Sequence, residues 1–220
     1  MRGVKERGLA LMELLVAISM FTLVMGLCLF AAVSGFRMFG QTNIRYQLQR
    51  DIGAIFAWLR RDIESTNLLK TQVIERTSGD KSRDCLGFVS LASWQEPLDV
   101  TATGEPNWNR LIVYTATRDV EAGQLVRQVH EPNPGAIPLD AAYLSSFLPG
   151  ILDGSIQVFD QRRLAGGIAE FAVTRSIDNE SLHFRLKLSQ KAVEAGAGRP
   201  RAEVLEVETA IHPRNTIPRI

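Results

Sequence analysis

The chain has 220 residues, 45% of them hydrophobic, and its 25 basic and 24 acidic side chains give a formal net charge of +1. This length predicts one or two domains. The near-neutral chain lacks the excess of basic side chains that is typical of nucleic-acid-binding proteins, so we expect no nucleic-acid partner. The two cysteines, Cys28 and Cys85, are too few for a disulfide framework or a four-cysteine zinc site. We therefore expect no intramolecular disulfide.

Residues 14–36 form an apolar block of 23 residues without a charged side chain. As a helix this block is roughly 35 Å long, and the hydrocarbon core of a bilayer is about 30 Å thick. A buried core helix is a poor alternative, because no second comparable segment exists to cover it. A cleaved signal peptide has a shorter apolar stretch and a small-residue cleavage site, whereas this block continues directly into Arg37. The sequence therefore predicts a membrane-spanning helix that stays in the mature protein.

Glu13 is the only charged residue between Gly8 and Arg37. A carboxylate costs about 2.5–3.5 kcal/mol at the centre of a bilayer and less near its edge. One interpretation is therefore a functional carboxylate that requires a cationic partner. The other is a carboxylate at headgroup level that complements the helix dipole in the first turn. The residues alone leave both interpretations open.

A short basic leader precedes the apolar block and contains Arg2, Lys5 and Arg7. Gly8 ends the leader, the apolar Leu9 follows, and Glu13 is the fifth residue after the glycine, with LLVAI directly behind it. Over Gly8 to Ile18 this arrangement closely resembles the class III signal of type IV pilins and pseudopilins. Leu9 and Ala10 stand where that signal usually has phenylalanine and threonine.

The resemblance implies that a membrane prepilin peptidase cleaves the chain between Gly8 and Leu9, and that the new amino terminus on Leu9 is N-methylated. It also implies that Glu13 meets the positively charged amino terminus of a neighbouring subunit during assembly. Basic residues are equally frequent close to both ends of the apolar block, so their distribution predicts no orientation. The resemblance places the leader in the cytoplasm and the C-terminal domain outside the inner membrane, in the periplasm.

An amphipathic segment follows the apolar block. Its apolar residues recur every three or four positions and form one stripe of a helix: Ile44, Leu48, Ile52, Ile55, Leu59 and Ile63. Charged residues such as Arg60 and Arg61 occupy the other side. The pattern predicts one helix from about Leu9 to about Leu69. Its second half is predicted to pack on a domain, in preference to binding a partner as a free helix.

From about Thr71 onward, alternating apolar and polar positions separated by turn residues predict a strand-rich domain. In the clearest strand, Leu182, Phe184, Leu186 and Leu188 alternate with polar residues. The other predicted strands are Leu86–Leu91, Arg110–Thr117, Gln124–Glu131, Ser155–Phe159, Gly167–Arg175 and Glu203–Ile211. Gly166-Gly167 is interpreted as a turn, and the Pro-rich stretch from Pro132 to Gly154 as a long connection with one helical turn.

The predicted fold class is α+β, with a long N-terminal helix packed on an antiparallel, β-rich domain that the resemblance makes pilin-like. The predicted divisions are a leader over residues 1–8, a transmembrane or filament-core helix over 9–39, its amphipathic continuation over 40–70 and the globular domain over 71–220.

Three further segments resemble the larger minor subunits of this family. They are the LxRDIE element at Leu59–Glu64, the strand pair in LIVYTATRDVEAGQLVRQ and the C-terminal His212–Asn215. Together they are similar to the J-type minor pseudopilin of type II secretion systems and to the W-type minor pilin. The resemblance implies a subunit of the pseudopilus tip that helps to initiate assembly and secretion, with the I- and K-type minor pseudopilins and the major pseudopilin as partners. The alternatives are a minor pilin of a type IV pilus and a membrane-anchored exoprotein of unrelated function.

Motifs for catalysis or metal binding are lacking in the sequence. The histidines His130, His183 and His212 have no companion cysteine at ligand spacing, and neither a G-x-S-x-G elbow nor a Walker loop occurs. We therefore expect that the chain is not an enzyme and that it has no metal, cofactor or small-molecule substrate. Carboxylates scattered over predicted loops leave calcium binding open: Asp99, Asp119, Asp153, Asp160 and Asp178. Trp94 and Trp108 are interpreted as core or loop packing.

Overall fold

The computed structural model describes residues 3–91, 108–119, 123–131, 141–156, 159–176, 180–191 and 202–213, and of residues 3–11 and 141–142 it describes the backbone only. The chain divides into two compact units, an N-terminal one that contains the residues up to Ile44 and a globular one that begins at Arg45. A single helix, α1 (Gly3–Glu64), belongs to both units. Strands follow it, so the predicted α+β class is confirmed.

Helix α1 ends at Glu64, earlier than the sequence predicts, because three consecutive polar side chains compete for its backbone. The Ser65 hydroxyl donates to the carbonyl three residues before it (2.6 Å), and the Thr66 hydroxyl donates to a carbonyl of a neighbouring strand (2.5 Å). The Asn67 side chain accepts a backbone N–H and caps a short 3₁₀ helix, Leu68–Lys70. The chain thereby leaves the helix and enters the sheet.

The predicted apolar stripe of α1 is buried in the globular domain from Leu48 onward, whereas its first predicted member, Ile44, is half-buried and belongs to the N-terminal unit. The members Leu48, Ile52, Ile55, Leu59 and Ile63 are each at most 5% exposed. Fully burying one such side chain contributes about 1.5–3 kcal/mol, so the stripe holds this half of α1 on the domain. The core-packing interpretation of the amphipathic segment is confirmed.

Two antiparallel sheets form the body of the globular domain. The strands of the larger sheet are β1 (Thr71–Ile74), β4 (Cys85–Ser90), β5 (Arg110–Ala116), β6 (Gln124–His130) and β7 (Asp160–Gly166), in the order β1-β4-β5-β6-β7. A small ribbon between β1 and β4 consists of β2 (Thr77–Ser78) and β3 (Lys81–Ser82). The smaller sheet consists of β8 (Ile168–Arg175), β9 (Leu182–Lys191) and β10 (Ala202–Ile211), in the order β10-β9-β8.

Asp84 joins the two sheets. Its carboxylate accepts the Arg76 backbone N–H (3.1 Å) beside the larger sheet and the Val173 N–H (2.8 Å) of β8 in the smaller one. Its own N–H donates to the Phe171 carbonyl of β8 (3.0 Å). The Arg175 guanidinium, also on β8, donates to a backbone carbonyl of the 3₁₀ helix (3.1 Å) and to the first carbonyl of β1 (2.8 Å). The sheets are therefore connected by hydrogen bonds as well as by apolar packing.

Helices contact both faces of the larger sheet. On one face the stripe of α1 ends over β5 and β6, where Asp62 bonds to side chains of both strands. On the other face α2 (Ala141–Asp153) packs on a cluster that includes Cys85, Val89, Leu111 and Val113. The close approach of α2 requires Gly87 of β4, because a Cβ there would lie 2.5 Å from a Leu148 methyl group.

The prediction of a long connection with one helical turn is wrong, because this segment contains α2, a helix of 13 residues. Pro149 lies inside it, and this breaker conceals the helix in the sequence. Leu144, Leu148 and Ile151 nevertheless recur at helical spacing, and all three are at most 5% exposed. Burial of this stripe outweighs the unfavourable proline, and Gly154, at φ 79°, ends the helix.

Six of the predicted strands are confirmed with small shifts at their ends, namely β4, β5, β6, β8, β9 and β10. The predicted strand at Ser155–Phe159 is wrong where it is described, because the Ile156 N–H turns back to the Gly150 carbonyl of α2 (3.1 Å). Residues 157–158 lie outside the described part. The turn at Gly166-Gly167 is confirmed: Gly167 has φ 70° and separates β7 from β8.

Candidate functional site

The N-terminal unit presents an apolar surface that the described part of the chain leaves uncovered. Between Met12 and Phe39 its large hydrophobic side chains are 49–78% exposed. Its most apolar stretch has a mean hydropathy of 2.5, and none of that stretch is buried. Among the described residues this is the one helix that is long and apolar enough to span a membrane. Lipid or apolar protein is the environment that suits such a surface.

Polar side chains within this surface differ in what they require. The Ser19 hydroxyl donates to the Val16 carbonyl (2.8 Å) and the Thr22 hydroxyl to the Ile18 carbonyl (2.7 Å), so both are satisfied inside the helix. The Glu13 carboxylate is exposed, and no ion pair of the described side chains includes it. A carboxylate in an apolar environment needs a cation or several donors. Glu13 is therefore the group of this segment that calls for a partner from outside it.

Gly8, Leu9 and Glu13 lie on one continuous helix. Leu9 and Glu13 are four residues apart, so they share a face of the helix and lie about 6 Å apart along its axis. The peptide bond between Gly8 and Leu9 is in helical backbone, which the glycine weakens by about 0.5–1 kcal/mol relative to alanine.

A buried ionic cluster marks the place where α1 packs on the larger sheet. Tyr114 of β5, Arg127 of β6 and Arg162 of β7 are register partners and form one row across three strands. Asp62 of α1 contacts this row, and its Oδ2 accepts the Tyr114 hydroxyl (2.6 Å) and the Arg127 Nε–H (2.6 Å). The side chains of Asp62 and Arg127 are only 6% and 10% exposed. One carboxylate therefore fixes the helix to two strands.

The electrostatics of this cluster follow from its burial. Burial and the Asp62 charge together raise the pKa of Tyr114 far above its ordinary value, so the phenol stays a neutral donor. Burial alone would lower the pKa of Arg127, but the hydrogen bond and the charge of Asp62 outweigh it and raise that pKa. The cluster is thus a buried Arg–Asp ion pair with a neutral tyrosine as second donor. Chemically it suits structural fixation, because the buried Asp62 oxygen is already occupied by donors from two strands.

Trp58 lies one turn before Asp62 on the same side of α1 and packs against the end of this row. The guanidinium carbon of Arg127 lies 5.0 Å from the centroid of its indole ring, within cation–π distance. The tryptophan therefore covers the Arg–Asp pair and helps to keep water from it.

A second buried guanidinium belongs to Arg83, which follows β3 and is fully buried. Its Nη1 donates to the Ile168 carbonyl (2.5 Å), whereas Nε and Nη2 have no hydrogen-bond partner among the described residues. Burial lowers the pKa of Arg83, and the charges of Asp119 and Glu170 oppose this. A Cβ at Gly123 would lie 2.3 Å from Nη1, so the backbone at Gly123 closes over this side chain.

The residues considered for metal binding are dispersed in the described part of the chain, where no group of three or more His, Cys, Asp or Glu side chains is placed to hold an ion. The ring of His130 packs against Phe147 in a tilted arrangement (4.6 Å between centroids), and His183 forms a hydrogen bond with Ser181 (3.3 Å). The Asp153 carboxylate accepts the Ser155 N–H. Asp99, Asp178 and Trp94 lie outside the described residues. Trp108 is half-buried against the core under α2, as predicted.

The buried cluster was not predicted, although the sequence contains a signal for it. Asp62 stands three residues after Leu59 and next to Ile63, which places a charge on the apolar stripe of the helix. In β6, Arg127 lies two residues after Leu125 and two before Val129. It therefore shares with them a face of the strand that is otherwise apolar. Opposite charges on the buried faces of two elements indicate a buried pair.

Comparison of the chain with protein-family models, with curated proteins and with solved structures finds no match. Any assignment of function therefore rests on the residues of this chain, in particular on Gly8, Leu9 and Glu13 and on the surfaces that the two units present.

Proposed function

We propose that this chain is a minor pseudopilin, a structural subunit at the tip of the pseudopilus of a type II protein secretion system, which helps to initiate filament assembly and secretion. The proposal does not involve catalysis. The N-terminal helix anchors the chain in the inner membrane and joins the filament, and the globular domain lies on the periplasmic side.

One observation carries the proposal. The exposed apolar stretch of α1 has a single charge between Gly8 and Arg37, that of Glu13, which follows Gly8 by five residues. The position fits the pilin-type signal, and the lack of a described ion-pair partner for Glu13 fits a carboxylate that is neutralised by a neighbouring subunit. In this role Glu13 would meet the N-methylated amino group of Leu9 on another subunit and set the axial position of that subunit.

The globular domain is consistent with a rigid platform at the end of a filament helix. Five buried apolar residues and the Asp62–Arg127 pair hold the second half of α1 on the larger sheet. The other minor pseudopilins, of the I and K types, and the major pseudopilin are the partners of this proposal, and the prepilin peptidase is its processing enzyme.

Mass spectrometry of the amino terminus tests the proposal. The chain is isolated from membranes of cells with and without the prepilin peptidase. We expect a peptide that begins at N-methylated Leu9 only where the peptidase is present. Gly8→Ala should abolish this cleavage, whereas Gly3→Ala, a matched change within the leader, should leave it intact. A Met1 start in both strains, or cleavage after Phe36, contradicts the proposal.

Deletion of the gene then tests the secretion system. If the chain acts at a pseudopilus tip, its loss leaves folded proteins of the type II pathway in the periplasm, and the wild-type chain restores their export. Loss of surface pili with normal export would instead assign the chain to a type IV pilus. Matched expression of Gly8→Ala should fail to restore export.

A further inference from the structure

Three guanidinium groups surround the indole of Trp58. Besides Arg127, the guanidinium carbons of Arg162 and Arg61 lie 5.0 Å and 5.5 Å from the ring centroid. Arg127 is buried, whereas Arg61 on α1 and Arg162 on β7 are exposed. We call the surface formed by Trp58, Arg61 and Arg162 the Trp58 patch.

The charges of the Trp58 patch are not balanced by the described side chains around it. Asp62 is the buried carboxylate beside this patch, and its Oδ2 already accepts hydrogen bonds from Arg127 and Tyr114. The exposed Asp160, two residues before Arg162 on β7, forms no described ion pair with either arginine. None of the ion pairs formed by described residues includes Arg61 or Arg162. Two cations thus lie against one aromatic ring at the surface without a described counter-charge.

The arrangement differs from an ordinary solvated basic face. A guanidinium that stacks on indole uses its planar face, so its N–H edge remains available for a bidentate carboxylate. Stacking also restricts the side chain before any partner arrives, which lowers the entropy cost of binding. Tryptophan and arginine are the residues most enriched among binding hot spots.

The position of Arg162 adds an edge strand to the surface. β7 is the last strand of the larger sheet, and no described strand pairs with its outer edge. Its residues Asp160, Gln161, Arg162 and Arg163 are exposed. An extended segment can therefore follow β7 while its side chains reach the Trp58 patch.

We propose that the Trp58 patch is a docking site for an extended acidic segment of a partner protein, whose carboxylates pair with Arg61 and Arg162 and whose apolar part lies on Trp58. A protein segment is the occupant that uses the indole, the two cations and the free edge of β7 together. The proposal rests on the globular domain and is independent of the pseudopilin assignment.

Arg163 provides a matched control. It is the next residue of the same strand and is also exposed, but successive residues of a strand point to opposite faces of the sheet. Reversal of its charge changes the net charge as much as reversal at Arg162 does, without changing the Trp58 patch.

The test uses the full chain in detergent micelles, with Trp94→Phe and Trp108→Phe so that fluorescence reports Trp58 alone. The probes are two 12-residue peptides, one with glutamate alternating with valine and serine, the other with glutamine in place of each glutamate. We expect the glutamate peptide to shift the Trp58 emission and the glutamine peptide to have no effect. Arg61→Glu with Arg162→Glu should weaken binding of the glutamate peptide about tenfold or more. Arg163→Glu should change the affinity less than about twofold.

Several outcomes overturn the proposal. Equal binding of the two peptides would remove the role of carboxylates, and an equal loss in Arg163→Glu would show attraction by net charge alone. An equal emission change with inorganic phosphate or with vesicles of phosphatidylglycerol would reassign the patch to phosphate groups. Thermal unfolding of each variant by circular dichroism establishes that the domain is folded.

Discussion

Arg127 of β6 donates from Nε to Oδ2 of Asp62 on α1 over 2.6 Å, and both side chains are almost completely buried. The same oxygen accepts the hydroxyl of Tyr114, which lies directly opposite Arg127 on β5. The pair thus connects the helix to the middle of the larger sheet. Because charges are expensive to bury, such a pair fixes one register of the helix on the strands more than it adds net stability.

Removal of one member of this pair should be strongly destabilising. Asp62→Ala leaves Arg127 buried without a counter-charge and the Tyr114 hydroxyl without its acceptor. We expect the free energy of unfolding to fall by about 3–5 kcal/mol. Urea unfolding of the full chain in a mild detergent, followed by tryptophan fluorescence, measures this change.

Asp51→Ala is the control for the Asp62 experiment. Asp51 lies on the same helix, and its ion pair with Arg50 is 3.6 Å long and exposed. Pairs of this kind contribute at most about 1 kcal/mol. A loss in Asp62→Ala no larger than the loss in Asp51→Ala would contradict the structural role of the buried pair.

Two leucines of the helix and its exit offer a second comparison. Leu59 is fully buried, whereas Leu69 in the following 3₁₀ helix is 65% exposed. Leu59→Ala should cost about 2–5 kcal/mol, because it removes buried apolar surface and leaves a cavity. Leu69→Ala should cost less than about 0.5 kcal/mol. The same urea experiment measures both, and similar losses would show that α1 does not pack on the sheet as described.

Alkaline pH should destabilise the domain through Cys85. Burial raises the pKa of this thiol from 9.0 to about 11, against a smaller opposing effect of the hydrogen bond with Thr115. The unfolded chain therefore loses the proton first. The contribution of the protonated Cys85 thiol to the free energy of unfolding is fully present below pH 9 and is lost as the pH rises through 11. This contribution totals up to about 2–3 kcal/mol.

The check on Cys85 is a double difference. Unfolding free energies at about pH 8 and about pH 11 are compared for the chain and for Cys85→Ala, which lacks the thiol. The fall with pH should be smaller in Cys85→Ala. Cys28→Ala removes the exposed thiol of the N-terminal unit and should leave the fall unchanged. If the unfolding free energy of Cys85→Ala falls with rising pH as much as that of the unaltered chain, the buried thiol is not the cause of the fall.

Strong periodicity made much of the fold predictable. Apolar residues have regular helical spacing from Leu48 to Ile63 and regular strand spacing from Leu182 to Leu188. Both sets are buried as predicted. β7 has no such pattern, because its edge position leaves most of its residues exposed. Helix α2 has the apolar spacing but contains Pro149, so local propensity and tertiary burial disagree, and burial prevails.

The N-terminal signal residues and the buried cluster differ in how far the sequence predicts them. Gly8, Leu9 and Glu13 follow from a linear signal, because their meaning depends on spacing along the chain. The row of Tyr114, Arg127 and Arg162 depends on the register of three strands, which the sequence of any one strand does not contain. The Trp58 patch depends in addition on how α1 lies across that row.

Glu13 gives the most direct test of the proposed assembly contact. Glu13→Gln keeps the size of the side chain but removes its charge, so the cationic amino terminus of a neighbour would lose its partner in an apolar environment. Loss of one member of such a pair costs about 3–5 kcal/mol, which corresponds to at least a hundredfold weaker contact. We expect normal cleavage after Gly8, measured by mass spectrometry, together with loss of co-purification with the other pseudopilins. Glu6→Gln neutralises a carboxylate of the leader and should leave both unchanged, because the leader is absent from the mature chain. Normal co-purification of Glu13→Gln would show that the carboxylate merely complements the helix dipole near the membrane surface.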